Sequence, residues 1–159
     1  MQILVLYHSV TGRTRKLAEA VAEGVRAAGA GCVVRSAAEV TREDFRRAQG
    51  IIAGSPVYYG SMAAELKAVF DRFVDLREEM EGKIGAAFAT AGDPSGGKET
   101  TLLSILQAML INGMIVAGDP LEASGHYGVA CAGEPDRAAL AGATALGRRI
   151  AALAARLRP

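Results

Sequence analysis

The strongest limit on how this chain can fold is an alternation along it, in which short apolar runs take turns with longer segments whose apolar residues recur at helical spacing. Parallel strands need a crossover between them and a helix is the usual one, so this order predicts β-α units stacked around a parallel sheet. Five units can be counted. The first strand is expected over Ile3 to Tyr7, followed by a helix with Leu17, Val21, Val25 and Ala28 on one face and Gly29 as its stop. Cys32 to Ser36 is the second strand, and Thr41 with Asp44 three residues on signals a short polar helix ending near Gln49 and Gly50. The third, fourth and fifth strands are expected at Ile51 to Gly54, Ile84 to Thr90 and Met114 to Val116. Leu66, Val69, Phe70 and Phe73 mark one intervening helix; Leu102, Leu103, Leu106 and Leu110, closed by Gly113, mark another. Gly118 to Pro135 reads as a long connection. The last helix carries Leu140, Ala143, Gly147, Ile150, Ala154 and Leu157 on one stripe, with Arg137, Arg148, Arg149, Arg156 and Arg158 on a solvated face.

With 50% hydrophobic residues, only 5% aromatic residues and no Trp, the core must be built from small aliphatic side chains in closely approaching elements. At 159 residues with no internal repeat or linker, one domain over residues 1–159 is expected. A net charge of +1 and scattered basic residues leave no electrostatic footprint for nucleic acid. Cys32 and Cys131 match no metal or redox spacing and read as small buried hydrophobes in a reducing compartment. The N-terminal apolar run is too short for a signal segment, and no stretch approaches a membrane span, so a soluble cytoplasmic protein without membrane insertion is expected.

Three loops rich in Gly, Ser, Thr and Tyr each follow an expected strand, and open α/β sheets bind ligands at that carboxyl edge. The first is Ser9-Val10-Thr11-Gly12-Arg13-Thr14. First-turn amides of a helix lack intrahelical partners and the helix dipole favours an anion there, so this run can cradle a phosphate. It would serve equally as a capping turn. The second, Gly54 to Met62, carries Pro56, Val57, Tyr58, Tyr59 and Gly60. Two adjacent tyrosines on a loop are hard to bury together, which leaves a face for a flat ligand. The third runs from Thr90 to Thr101 and includes Ala91, Gly92, Asp93, Gly96 and Gly97, whose glycines permit close backbone approach or an ordinary flexible turn. His126 and Tyr127 are the weak catalytic candidates, since an imidazole near neutrality can donate a proton. Neither a Gly-x-x-x-x-Gly-Lys-Ser/Thr loop nor a Gly-x-Gly-x-x-Gly turn follows the first strand, which disfavours an NTPase and a dinucleotide-first domain.

The Ser9 to Thr14 run resembles the flavodoxin phosphate signature Thr/Ser-x-Thr-Gly-x-Thr. Further likeness is to the WrbA-type NAD(P)H:quinone oxidoreductases. Gly54-Ser55-Pro56-Val57-Tyr58-Tyr59-Gly60-Ser61-Met62 is similar to that family's Gly-Thr-Pro-Thr-Arg-Phe/Tyr-Gly-Asn-Met loop, Gly96 to Thr101 to its Gly-Gly-Gln-Glu-Thr-Thr segment, Asn112-Gly113-Met114 to its His-Gly-Met, and His126-Tyr127-Gly128 to its Pro-Tyr-Gly. The resemblance implies a flavodoxin-like α/β fold, a doubly wound five-stranded parallel sheet of order 2-1-3-4-5 with helices on both faces. It implies bound FMN, with the phosphate at Ser9 to Thr14, the ring against Val57, Tyr58 and Tyr59, and its polar edge or ribityl chain near Thr90 to Ser95. NADH or NADPH as donor, a quinone-like acceptor and a dimer or tetramer follow from the same likeness. The chain departs from the family in its short Ala37 to Gln49 connection, its lack of Trp, and Asn112 in place of a His. An electron-carrier flavodoxin is the alternative, although such carriers are typically acidic.

Overall fold

The computed structural model describes residues 1–157; Arg158, expected on the solvated face of the last helix, lies outside them. Strands β1 (Gln2–Tyr7), β2 (Gly31–Ser36), β3 (Gly50–Tyr58), β4 (Ser61–Met62), β5 (Ile84–Ala91), β6 (Ile115–Val116) and β7 (Val129–Ala132) form one sheet. Helices α1 (Arg13–Ala27), α2 (Arg42–Arg47), α3 (Ala64–Arg72), α4 (Arg77–Met80), α5 (Lys98–Ile111) and α6 (Arg137–Arg156) cover it. The central order is β2-β1-β3-β5-β6, all parallel, which is the expected five-strand order.

Two strands add to that expectation. β6 pairs only with Ile84 and Gly85, leaving the edge of β5 open from Phe88 onward, and β7 takes it up in parallel from Phe88↔Val129 to Ala91↔Ala132. Gly118 to Pro135 is therefore not a simple connection. The fifth strand is split, with residues 117–128 making an excursion between its halves. The second loop is also more ordered than expected: β3 continues to Tyr58, turns, and pairs back through Val57↔Met62 and Tyr58↔Ser61. Beyond Gly54 the β1 side of β3 is unpaired, and such an edge tolerates Pro56.

Alternation along the strands divides the core into two clusters. Ile3, Val5, Ile52, Ala86 and Phe88 pack under α1 and α6, whereas Leu4, Leu6, Ile51, Ala87 and Ala89 pack under α2, α3 and α5. On α5 the buried stripe is Leu102, Ile105, Leu106 and Met109; the expected Leu103 and Leu110 face outward, because the apolar residues of this helix run all the way round. On α1, Leu17, Val21 and Val25 are buried as expected and Ala28 is exposed. Among the described residues α6 is long and apolar enough to cross a membrane by length and composition, against the sequence expectation. Gly142, Ala143, Leu146, Gly147, Ile150, Ala151 and Ala154 are buried, which is the arrangement of a core helix.

Candidate functional site

The carboxyl edge of the sheet gathers the three loops. Gly12 opens α1 in the left-handed region at φ 89°, where a side chain is strained, and offers no cap of its own. Ser9 does that work instead: its Oγ accepts from the Gly12 amide at 3.2 Å and the Arg15 amide at 3.4 Å. A hydroxyl that accepts twice keeps its one proton to donate elsewhere. The amides of Val10, Thr11, Arg13 and Thr14 find no acceptor among the described residues, and the exposed Thr11 hydroxyl makes no bond there. Free donors at a helix N-terminus are the chemistry by which an anion can be held.

Thr14 has a partner inside the protein. It is buried, and its Oγ1 lies 2.8 Å from Oγ1 of buried Thr90 at the end of β5. First and third loops are thereby joined. Arg13 and Lys16 both pair with Glu134, which follows β7; the Arg13 contact is 3.5 Å. Lys16 and Arg13 hold the Glu134 carboxyl below the usual carboxylate range, the hydrogen bond from Lys16 contributing most. Glu134 carried no sequence signal, because its partners are more than a hundred residues away.

The second loop is a tight hairpin. Tyr59 and Gly60 are its two central residues, at φ 51° and 76°, the combination that a two-residue turn between twisted strands requires. A tyrosine held at positive φ is uncommon, and such backbone strain concentrates at ligand sites. Tyr59 is wholly exposed and Tyr58 is 43% exposed, so neither ring is used by the core. The base of the hairpin is fixed by fully buried Ser55, whose Oγ donates to the Pro56 carbonyl at 2.7 Å and accepts the Ala63 amide at 2.8 Å. Ser104 accepts the Met62 amide at 3.0 Å, tying the hairpin to α5.

Third and second loops touch backbone to backbone. A Cβ on Gly97 would stand 2.8 Å from Gly60 Cα, so glycine is required for this approach. Asp93 is spent on the turn: its Oδ1 accepts the Ser95 amide at 2.8 Å and its carbonyl accepts the Gly96 amide. Ala91 is buried, while Gly92 and Asp93 are exposed at the rim.

His126 and Tyr127 are not brought into this cluster. They lie on the excursion that splits the fifth strand, and the register Phe88↔Val129 sets them below the level of Thr90. Both are exposed; buried Asp119 orders the excursion by accepting from the Ser124 hydroxyl and the amides of Gly125 and His126. Asn112 ends α5 at the opposite edge of the sheet, its amide group donating to the Ala108 carbonyl. His8, in contrast, stands next to the first loop, with a buried Nε2 that lacks a hydrogen-bond partner among the described residues and lies 3.6 Å from Glu65. Cys32 and Cys131 are unpaired, half-buried thiols whose pKa burial pushes up, an inert state.

The sequence profile described as NADPH-dependent FMN reductase matches residues 30–127. A protein of Archaeoglobus fulgidus named NAD(P)H dehydrogenase (quinone) is 37% identical over 188 aligned positions, covering 98% of this chain and 98% of that protein. That alignment is longer than the present chain, so the relative carries segments missing here. An Aquifex aeolicus protein named flavodoxin is 38% identical over 140 residues, 84% of this chain and 76% of its own length. Among solved structures, a flavodoxin from the domain Archaea superposes with a TM-score of 0.83 at 28% identity, covering 98% of this chain and 99% of its own. A WrbA-like flavodoxin from Agrobacterium tumefaciens gives 0.84 at 24% identity with 99% of both chains covered, a likeness of fold.

Proposed function

The chain belongs to the NADPH-dependent FMN reductase family, and from that premise we propose that it is an FMN-dependent oxidoreductase taking hydride from NADH or NADPH and passing electrons to a quinone-like acceptor. The observation that carries this reading is the anion site at Ser9 to Thr14 beside an unused tyrosine pair. The residues fit the cofactor. Free amides of Val10, Thr11, Arg13 and Thr14, with the Ser9 and Thr11 hydroxyls, match a phosphate monoester, and glycine at position 12 keeps the turn open for it. Val57, Tyr58, Tyr59 and Gly60 would hold a flat ring, with Pro56 shaping the strand and the backbone of Thr90, Ala91, Gly92, Asp93, Gly96 and Gly97 lining its polar edge. When bound, FMN supplies the hydride-accepting chemistry. The protein's own part is binding, orientation and keeping one ring face open to alternating substrates. His126 and Tyr127 are the candidates for proton delivery.

A dimer or tetramer is part of this proposal. Val74, Leu110, Ile111 and Ile115 are exposed apolar residues, a surface suited to burial between copies. Unpaired cysteines fit a reducing compartment, and the proposed location is the cytoplasm. The whole chain is proposed to act as one flavin-binding domain.

The test is direct. The purified protein should be yellow or take up FMN, should bleach when NADH or NADPH is added without oxygen, and should then reduce benzoquinone steadily. A colourless protein that binds no FMN overturns the reading. The carrier alternative has a specific support in the flavodoxin-named relative; reduction by a separate reductase and not by nicotinamide would establish it.

A further inference from the structure

We infer that Thr90 is a positioning residue for the phosphate end of the cofactor: it acts through Thr14, presenting the Thr14 hydroxyl proton to the phosphate. The role rests on FMN being the bound cofactor. Thr14 sits in the first turn of α1, whose amides are free, and Thr90 sits near the end of β5 between Pro56 and Cys131. Their oxygens are 2.8 Å apart and both side chains are buried.

Two hydroxyls at that distance share one proton between them. The donor's only proton is committed to the bond, and the acceptor keeps its own. If Thr14 donates, its proton points down to Thr90 and is lost to the anion site. With Thr90 donating, Thr14 accepts from below and its own proton is free to turn toward the first turn, where no acceptor among the described residues is bonded to it. An anion over the helix N-terminus selects the second arrangement, because a hydroxyl pointing its proton at a phosphate forms a charge-assisted bond. A donating Thr90 also polarises Thr14 and strengthens that bond. Thr90 therefore has its effect on the phosphate without touching it, while its backbone begins the third loop.

The experiment measures Kd for FMN and for riboflavin, which lacks the phosphate, in the wild-type protein, Thr90→Val, Thr90→Ser, Thr14→Val and the Thr14→Val/Thr90→Val double variant, with thermal melting as a check on folding. Thr90→Val should weaken FMN about tenfold, the size of one charged hydrogen bond, and leave riboflavin within about twofold. Thr90→Ser should restore FMN binding. Because Thr90 works through Thr14, the double variant should bind FMN no more weakly than Thr14→Val alone. Equal weakening of both flavins by Thr90→Val, no change in the ratio of the two Kd values, or full additivity in the double variant would each overturn the role. Failure of the wild-type protein to bind FMN would overturn the flavin reading itself, which is a separate outcome.

Discussion

The α1–α6 contact on one face of the sheet and the contact of the sheet with α5 on the other are packed in different ways. Where α1 crosses α6 the glycines meet backbone: a Cβ on Gly147 would stand 2.1 Å from the Val21 carbonyl oxygen, and one on Gly24 would stand 1.9 Å from that of Thr144. On the α5 face Gly85 meets a side chain: its Cβ would approach Met109 Sδ at 2.7 Å. That second cluster includes Phe45, Phe70, Phe73, Met80, Met109 and Met114, whereas the first has more Ala and no Met among its buried members. A methionine can change rotamer and a helix backbone cannot. The helix pair beside the Ser9 to Thr14 loop is thus built without slack, and the face behind the tyrosine hairpin can adjust at Met109.

Four substitutions test that difference. Gly147→Ala should have the largest effect, about 3 kcal/mol of lost stability in urea unfolding, because neither helix can withdraw without separating. If it costs less than Gly85→Ala, the contrast between the faces is wrong. Thr11→Ala should leave unfolding nearly unchanged and weaken FMN binding by about 1.5 to 3 kcal/mol, the range for a hydrogen bond to a charged group. Unchanged affinity would move the phosphate away from this loop.

Next comes Thr41→Ala on the adjustable face. Thr41 and Asp44 form a reciprocal capping box at the start of α2, with Asp44 N to Thr41 Oγ1 at 3.1 Å and Thr41 N to Asp44 Oδ2 at 3.0 Å. Losing it should cost about 1 kcal/mol. Burial pushes the Asp44 carboxyl up, but hydrogen bonds from the Thr41 amide and hydroxyl and from Arg35 outweigh it and hold the group below its usual 3.8. A depressed carboxyl stabilises the fold above its unfolded value and loses that contribution as pH falls through its folded value. Acid unfolding of Thr41→Ala should accordingly begin at higher pH than in the wild type. The smallest effect is expected from Gly85→Ala, below about 1 kcal/mol, since Met109 can yield.

The same capping box was legible in the sequence, because a cap depends on neighbours three residues apart and nothing else. The turn at Ser9 to Thr14 that opens α1 was legible for the same reason. Strand β7 was not: Val129–Ala132 has no distinguishing period, and it becomes a strand because β6 leaves half of β5 unpaired. The outward turn of Leu103 and Leu110 escaped too, since an all-round apolar helix does not say which side meets the sheet. In the site, the sequence offered Thr14 as one more phosphate hydroxyl beside Ser9 and Thr11, and the fold gave it a partner of its own in Thr90.

What the sequence alone determined was local: five β-α units, a loop whose hydroxyls and glycine suit an anion, and two tyrosines with no core to enter. Those follow from short-range periodicity and backbone preference. Tertiary structure alone decided that Thr14 meets Thr90, that the Tyr59 hairpin abuts the Gly97 turn, and that His126 and Tyr127 stand apart. The reason is physical: a hydroxyl's single proton and a Cβ's few ångströms of space are assigned by neighbours that are distant in the chain, and only folding brings them within reach.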